Sequence, residues 1–188
     1  MVKATQRGFT IVELLIVIVI ISVLASITVV AFNGVQKRSQ EAQVNSAVKS
    51  SIKLVELALA KGVTPVGGNS CITTSAADYP VTADFASGAC LKIEFGPLWG
   101  GASPMSIAHT PAVNNALFAT GEVPAFTMPR LTGSDVNDKS YTSRGMWLAV
   151  TTSPREIQII WLPVYPGKCI AGADETGSGG LCIWERSY

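Results

Sequence analysis

Gly8-Phe9-Thr10-Ile11-Val12-Glu13-Leu14-Leu15 opens the only long apolar stretch of this chain, and its reading decides the fold. The stretch runs on as Ile16-Val17-Ile18-Val19-Ile20-Ile21 and reaches Gln36 without another charge. The 23 residues from Leu14 to Gln36 would rise about 35 Å as a helix at about 1.5 Å per residue, enough to cross a bilayer core. Their crowding of β-branched residues disfavours helix in water. In lipid every backbone group must be satisfied within the segment, so helix is still expected. Glu13 needs a reason: a carboxylate in a membrane span costs about 2.5–3.5 kcal/mol on insertion scales and less near the helix end.

Three readings of the segment compete. A cleaved secretory signal has a shorter apolar region than this one, and no acid at its start. A plain signal anchor, with Lys3 and Arg7 on the inside, leaves Glu13 unexplained. The third accounts for all of it. A short basic leader ending in Gly8, then Phe9, then Glu13 four residues on, then an uninterrupted span, resembles the processing site of type IV pilins and pseudopilins.

That resemblance implies cleavage between Gly8 and Phe9 by a prepilin peptidase on the cytoplasmic side, and N-methylation of Phe9. Cleavage would turn an uncharged amide into an α-amine that is mostly cationic at neutral pH. The resemblance further implies that Glu13 of one subunit pairs with the Phe9 amine of a neighbour during assembly. The value of such a pair lies in setting how far one helix slides along the next. Many pilins carry a helix-bending proline at the position that falls here on Val30; this chain has none. Asn33-Gly34 is then the expected place for a bend or local melting, because glycine costs a helix about 1 kcal/mol relative to alanine.

The expected organisation is a leader over residues 1–8, a membrane-spanning and filament-core helix over 9–32, an amphipathic continuation over 33–62, and a β-rich head over 63–188. Val44, Val48, Ile52, Val55 and Leu59 recur at helical spacing, and Gly62 with Pro65 marks the helix end. Residues 63–89 read as a connecting loop rich in Gly, Ser, Thr and Ala. Leu91–Phe95 alternates and reads as the first strand. Residues 96–108 read as a second loop. Met146–Thr151 and Ile157–Leu162 read as paired central strands joined by a turn at 152–156, and Leu181–Glu185 as a final strand. The fold class is α+β: a long N-terminal helix packed on an antiparallel sheet.

Four cysteines, Cys71, Cys90, Cys169 and Cys182, all follow the apolar segment and read as two disulfides of an exported domain. Three pairings exist and the sequence does not choose among them. Cys71–Cys90 and Cys169–Cys182 are favoured because each closes a short loop. The second loop, rich in glycine, is similar to the disulfide-bounded C-terminal region of many pilins.

Catalytic chemistry finds little support. His109 is the only histidine, Gly-x-Ser-x-Gly is absent, and zinc-ligand spacing is missing. Asp135-Val136-Asn137-Asp138-Lys139 starts like a calcium loop, but Lys139 stands where a third ligand belongs, so Asp135, Asn137 and Asp138 are a weak metal candidate, and Asp174-Glu175 a weaker one. The four tryptophans read as core rather than as a binding platform. A net charge of +1, with no long basic run, gives no sign of nucleic-acid contact. No asparagine begins an N-x-[ST] acceptor.

The expectation is a structural, non-enzymatic subunit without cofactors. It would be a single-pass protein of the cytoplasmic membrane before assembly and part of a pilus at the cell surface afterwards. Its implied partners are copies of itself, the membrane, the peptidase, and an assembly platform with an ATPase motor. The alternatives are a minor pilin or pseudopilin of a secretion or competence system, and a signal-anchored extracellular enzyme or receptor.

Overall fold

A computed structural model of the chain describes residues 9–73, 76–95, 97–99, 103–118, 128–134, 139–165, 168–170, 172–175 and 180–188. The chain divides into two units, Met1–Ser39 and Gln40–Tyr188. Helix α1 spans Ile11–Ala60. It runs unbroken through Asn33-Gly34, so the expected local melting there is not seen. Nothing lies within 4 Å of where a Gly34 Cβ would stand, so no neighbour holds the helix open at that point.

The end of α1 is set by a Schellman motif. Gly62 takes φ +75°, a left-handed conformation that costs a glycine nothing. The Val63 N–H then donates to Ala58 O at 3.1 Å and the Gly62 N–H to Leu59 O at 2.9 Å, which satisfies carbonyls the helix leaves open.

Among the described residues the second unit holds nine strands and a short second helix. In chain order the strands are β1 (Gly68–Cys71), β2 (Ala89–Phe95), β3 (Met105–Ala108), β4 (Leu131–Ser134), β5 (Lys139–Ser143), β6 (Trp147–Thr152), β7 (Arg155–Trp161), β8 (Asp174–Glu175) and β9 (Cys182–Ser187). Helix α2 (Pro111–Phe118) lies between β3 and β4. One antiparallel sheet has the order β1-β6-β7-β9-β8, the other β3-β2-β5-β4.

These elements form three layers. One core joins Val44, Val48 and Val55 of α1, Val113 and Leu117 of α2, and Leu148, Val150, Ile157, Ile159 and Trp161 of the five-stranded sheet. A second joins the opposite face of that sheet, through Ala149, Ile160 and Leu162, to Leu91, Ile93, Ile107 and Tyr141 around the four-stranded sheet. The five-stranded sheet is therefore covered on both faces. This is why β6 and β7 read as dense apolar runs rather than as alternation. They are central and pack under the helix, as expected.

Three expectations are corrected. The first strand is β1, inside the stretch read as a connecting loop, where it pairs with β6 from Gly68↔Val150 to Cys71↔Trp147. The stretch 96–108 is not all loop, because its last residues form β3. The buried stripe of α1 is Val44, Ala47, Val48, Ser51, Val55 and Ala58, with Ile52 and Leu59 only partly buried at its flank. Ala47, Ser51 and Ala58 are buried in this face, while Ile52 and Leu59 pack against the core from its edge.

Both favoured disulfides are present, Cys71–Cys90 and Cys169–Cys182. Of the four tryptophans read as core, Trp161 and Trp184 are buried beneath α1, whereas Trp147 in β6 is only half-buried.

Candidate functional site

The candidate site is the start of α1. Thr10 is its N-cap and Glu13 its third helical residue. The Glu13 N–H donates to Thr10 Oγ1 at 3.2 Å. In return the Thr10 N–H and hydroxyl both donate to Glu13 Oε2, each at 2.9 Å. This is a reciprocal capping box, which satisfies amide donors that a helix N-terminus leaves open. The Thr-x-x-Glu spacing was present in the sequence and passed unread. Glu13 therefore has a role within its own chain as well as the one implied between chains. Among the described residues only Oε2 is engaged, and the residue is exposed.

Behind the box, α1 is apolar on every side. From Phe9 to Ile27 its large apolar side chains are between 47% and 83% exposed, values that describe a surface lacking its natural cover. Burying them in lipid or among other helices is worth on the order of 10–20 kcal/mol. A helix apolar all round is a buried one. Its few polar side chains are satisfied internally. Ser22 Oγ donates to Val19 O at 2.8 Å, Ser26 Oγ to Val23 O at 2.7 Å, and Thr28 Oγ1 to Ala25 O at 2.9 Å. None of the three carries an unmet hydroxyl into an apolar surround. By length and composition α1 is the one described helix able to cross a membrane.

Phe9 stands exposed just before the helix, two residues ahead of Ile11. Gly8 lies outside the described residues, as do Asp135, Asn137 and Asp138 of the calcium candidate. Asp174 and Glu175 form strand β8, where they pair with β9. Among the described residues no three His, Cys, Asp or Glu side chains gather as metal ligands would. His109 follows β3, and its N–H donates to Gly88 O at 2.9 Å.

In the second unit, one further residue organises the surface. Arg144 donates through Nε to Ala89 O at 2.8 Å and through Nη1 to Pro80 O at 2.7 Å. Its guanidinium carbon lies 5.3 Å from the Tyr79 ring centre and 4.5 Å from that of Phe85. One cation thus fastens the 79–89 loop, whose far end is tied by the Cys71–Cys90 disulfide. Burial pushes the Tyr79 phenol up to about 12, against a smaller opposing pull from Arg144. Single-sequence reading has no signal for such a latch, since its acceptors are backbone carbonyls 55 to 64 residues away in sequence.

Comparison with known proteins agrees with this geometry. Residues 3–29 match the prokaryotic N-terminal methylation motif. Over 167 residues, 89% of this chain and 90% of the relative, the chain is 27% identical to fimbrial protein Q of Moraxella bovis. It is 41% identical to the type IV major alpha-pilin of the same organism over 61 residues, which span 32% of this chain and 38% of that protein. No solved structure matches. The chain is thus similar to type IV pilins in its N-terminal methylation motif and to a fimbrial protein along nine-tenths of its length.

Proposed function

We propose that this protein is a structural subunit of a type IV pilus-like filament, cleaved between Gly8 and Phe9, methylated on the Phe9 nitrogen, and held in the filament by its N-terminal helix. The observation that carries the reading is the uncovered apolar surface from Phe9 to Ile27, headed by the exposed Glu13 carboxylate. Before assembly the bilayer covers that surface. In the filament, the helices of other copies cover it.

The capping box bears on the part taken by Glu13. Its carboxylate is already oriented by Thr10, so a neighbour's Phe9 amine meets a fixed acceptor. A pre-oriented carboxylate loses less freedom on pairing than a mobile one. The amine exists only after cleavage, so processing and assembly are coupled. A peptidase, an assembly platform and a motor follow from the same reading, as does display of the second unit outside the cell.

The test is to shear surface material from producing cells and read the N-terminus of this protein by mass spectrometry. N-methylated Phe9 in the filament fraction is the expected result, and an intact Met1 leader there would overturn the reading. Glu13→Ala protein is expected to be processed normally and to remain in the membrane. Its amount in the sheared fraction should fall at least tenfold. A wild-type yield of Glu13→Ala filaments would remove the intersubunit pair and leave Glu13 its capping role alone.

A further inference from the structure

The second unit carries an open groove that the filament reading does not use. It lies between the exit of α1, at Leu59 and Val63, and the ends of β6, β7 and β9, at Thr152, Arg155, Arg186 and Tyr188. No acidic side chain lines it. Arg186 pairs across strands with Ile157, whose side chain is buried under α1. Arg155, two residues before Ile157, therefore shares the face of Arg186 and sits diagonal to it. Diagonal neighbours in an antiparallel pair stand roughly 7–8 Å apart.

Both arginines are exposed, and neither has a carboxylate partner among the described residues. Among the described residues the ion pairs are Lys92–Glu94 and Arg130–Asp84, and neither involves these arginines. The nearby helix end is capped by its own Schellman bonds, from the Gly62 and Val63 N–H groups to the Leu59 and Ala58 carbonyls. The remaining groups describe a ligand. Thr152 offers a hydroxyl, while Leu59, Val63 and the Tyr188 ring offer an apolar wall. Tyr188 is held in place by its hydroxyl, which donates to Thr151 O at 3.1 Å.

The geometry points to a binding site for a phosphate-class oxyanion, bridged by Arg155 and Arg186, with room for a short apolar substituent against Leu59 and Val63. Guanidinium forks match tetrahedral oxyanions through paired N–H donors, and two arginines on one sheet face can turn toward one anion. The groove uses none of the residues from Phe9 to Ile27 on which the filament reading rests.

The experiment uses the full chain in a neutral detergent, with its arginine Nε–H groups followed by NMR. Inorganic phosphate is titrated against sodium chloride at matched ionic strength. The Arg155 and Arg186 signals are expected to shift together, saturably, with phosphate and not with chloride. The Arg144 signal, tied to Ala89 O, should stay fixed and so reports that the fold is intact. Arg186→Gln and Arg155→Gln are each expected to weaken phosphate at least tenfold. Butyl phosphate binding tenfold tighter than phosphate would identify an amphiphilic phosphoester as the natural class, and equal affinity a free oxyanion. Shifts that chloride reproduces, or that survive both substitutions, would overturn the site. Assembly is not read in this experiment, so its failure leaves the filament reading untouched.

Discussion

At the scale of single residues, Arg144 shows how much of a loop can rest on one side chain. Its donors meet carbonyls at both ends of the 79–89 loop and its plane lies against two rings. Charge-assisted bonds of this kind are worth about 1.5–3 kcal/mol each, less where solvent reaches them. Arg144→Ala is expected to cost about 2–3 kcal/mol in denaturant unfolding. Arg144→Lys should recover little, because one ammonium cannot span Pro80 O and Ala89 O together. The Tyr79 phenol beneath it gives a second expectation. Its folded value, about 12, lies above the usual value near 10. The unfolded chain therefore loses this proton first as pH rises. Stability attributed to Tyr79 is complete below about pH 10 and falls between about 10 and 12. A pH series of unfolding midpoints should show that decline, and Tyr79→Phe should flatten it by roughly 2–3 kcal/mol. An identical decline in both proteins would assign it to other groups. Close by, a Cβ at Gly145 would stand 2.1 Å from Tyr79 Oη, which explains why the turn after Arg144 has no side chain.

At the scale of elements, the buried face of α1 decides which substitutions matter. Val48 is fully buried and Ile52 only partly so. Val48→Ala should therefore cost about 2 kcal/mol and Ile52→Ala clearly less, although isoleucine is the larger residue. Ser51 is buried with a hydroxyl that meets no partner among the described residues, so Ser51→Ala is expected to be neutral or slightly stabilising. Chemical denaturation of the three variants checks the order, and a larger loss at Ile52 than at Val48 would restore the face read from spacing alone. That face was legible only in part. Spacing marks apolar positions but cannot see that alanine and serine at 47, 51 and 58 are buried in the face. The long elements were plain in the sequence, α1 from its apolar run and β6, β7 and β9 from their β-branched and aromatic density. Strand β1 was not, since Gly68-Asn69-Ser70-Cys71 has almost no strand propensity and exists because β6 offers it an edge. Helix α2 carried a faint signal. Thr110-Pro111 opens it, and Val113 and Leu117 one turn apart form its buried face. At the site, Gly8, Phe9 and Glu13 stood out by type and spacing, whereas the part played by Thr10 becomes clear only when its hydroxyl is seen against Glu13.

At the scale of the whole molecule, the exposed apolar surface and the folded core fall in different parts of one chain. The buried residues of the core begin at Val44, and both disulfides, both sheets and α2 follow it. In the first unit, Met1–Ser39, the described large apolar side chains are exposed. A chain that begins at Gln40 should therefore fold by itself. It loses α1 residues that contribute nothing to either core, and its new helix end frays by about a turn, a cost of roughly 1 kcal/mol or less. It should be monomeric without detergent, keep Cys71–Cys90 and Cys169–Cys182, and unfold within about 1 kcal/mol of the full chain. Reducing it should then show what the staples contribute, about 3 kcal/mol for each loop if entropy dominates. The same chain should be unable to enter filaments, since it lacks Phe9, Glu13 and the apolar surface behind them. Sedimentation, mass determination of the intact disulfides and calorimetry would measure the first set of outcomes, and co-expression with the full chain the last. An aggregated or unfolded Gln40–Tyr188 would mean that the first unit helps to build the head. Its appearance in filaments would mean that the head, not the helix, carries assembly.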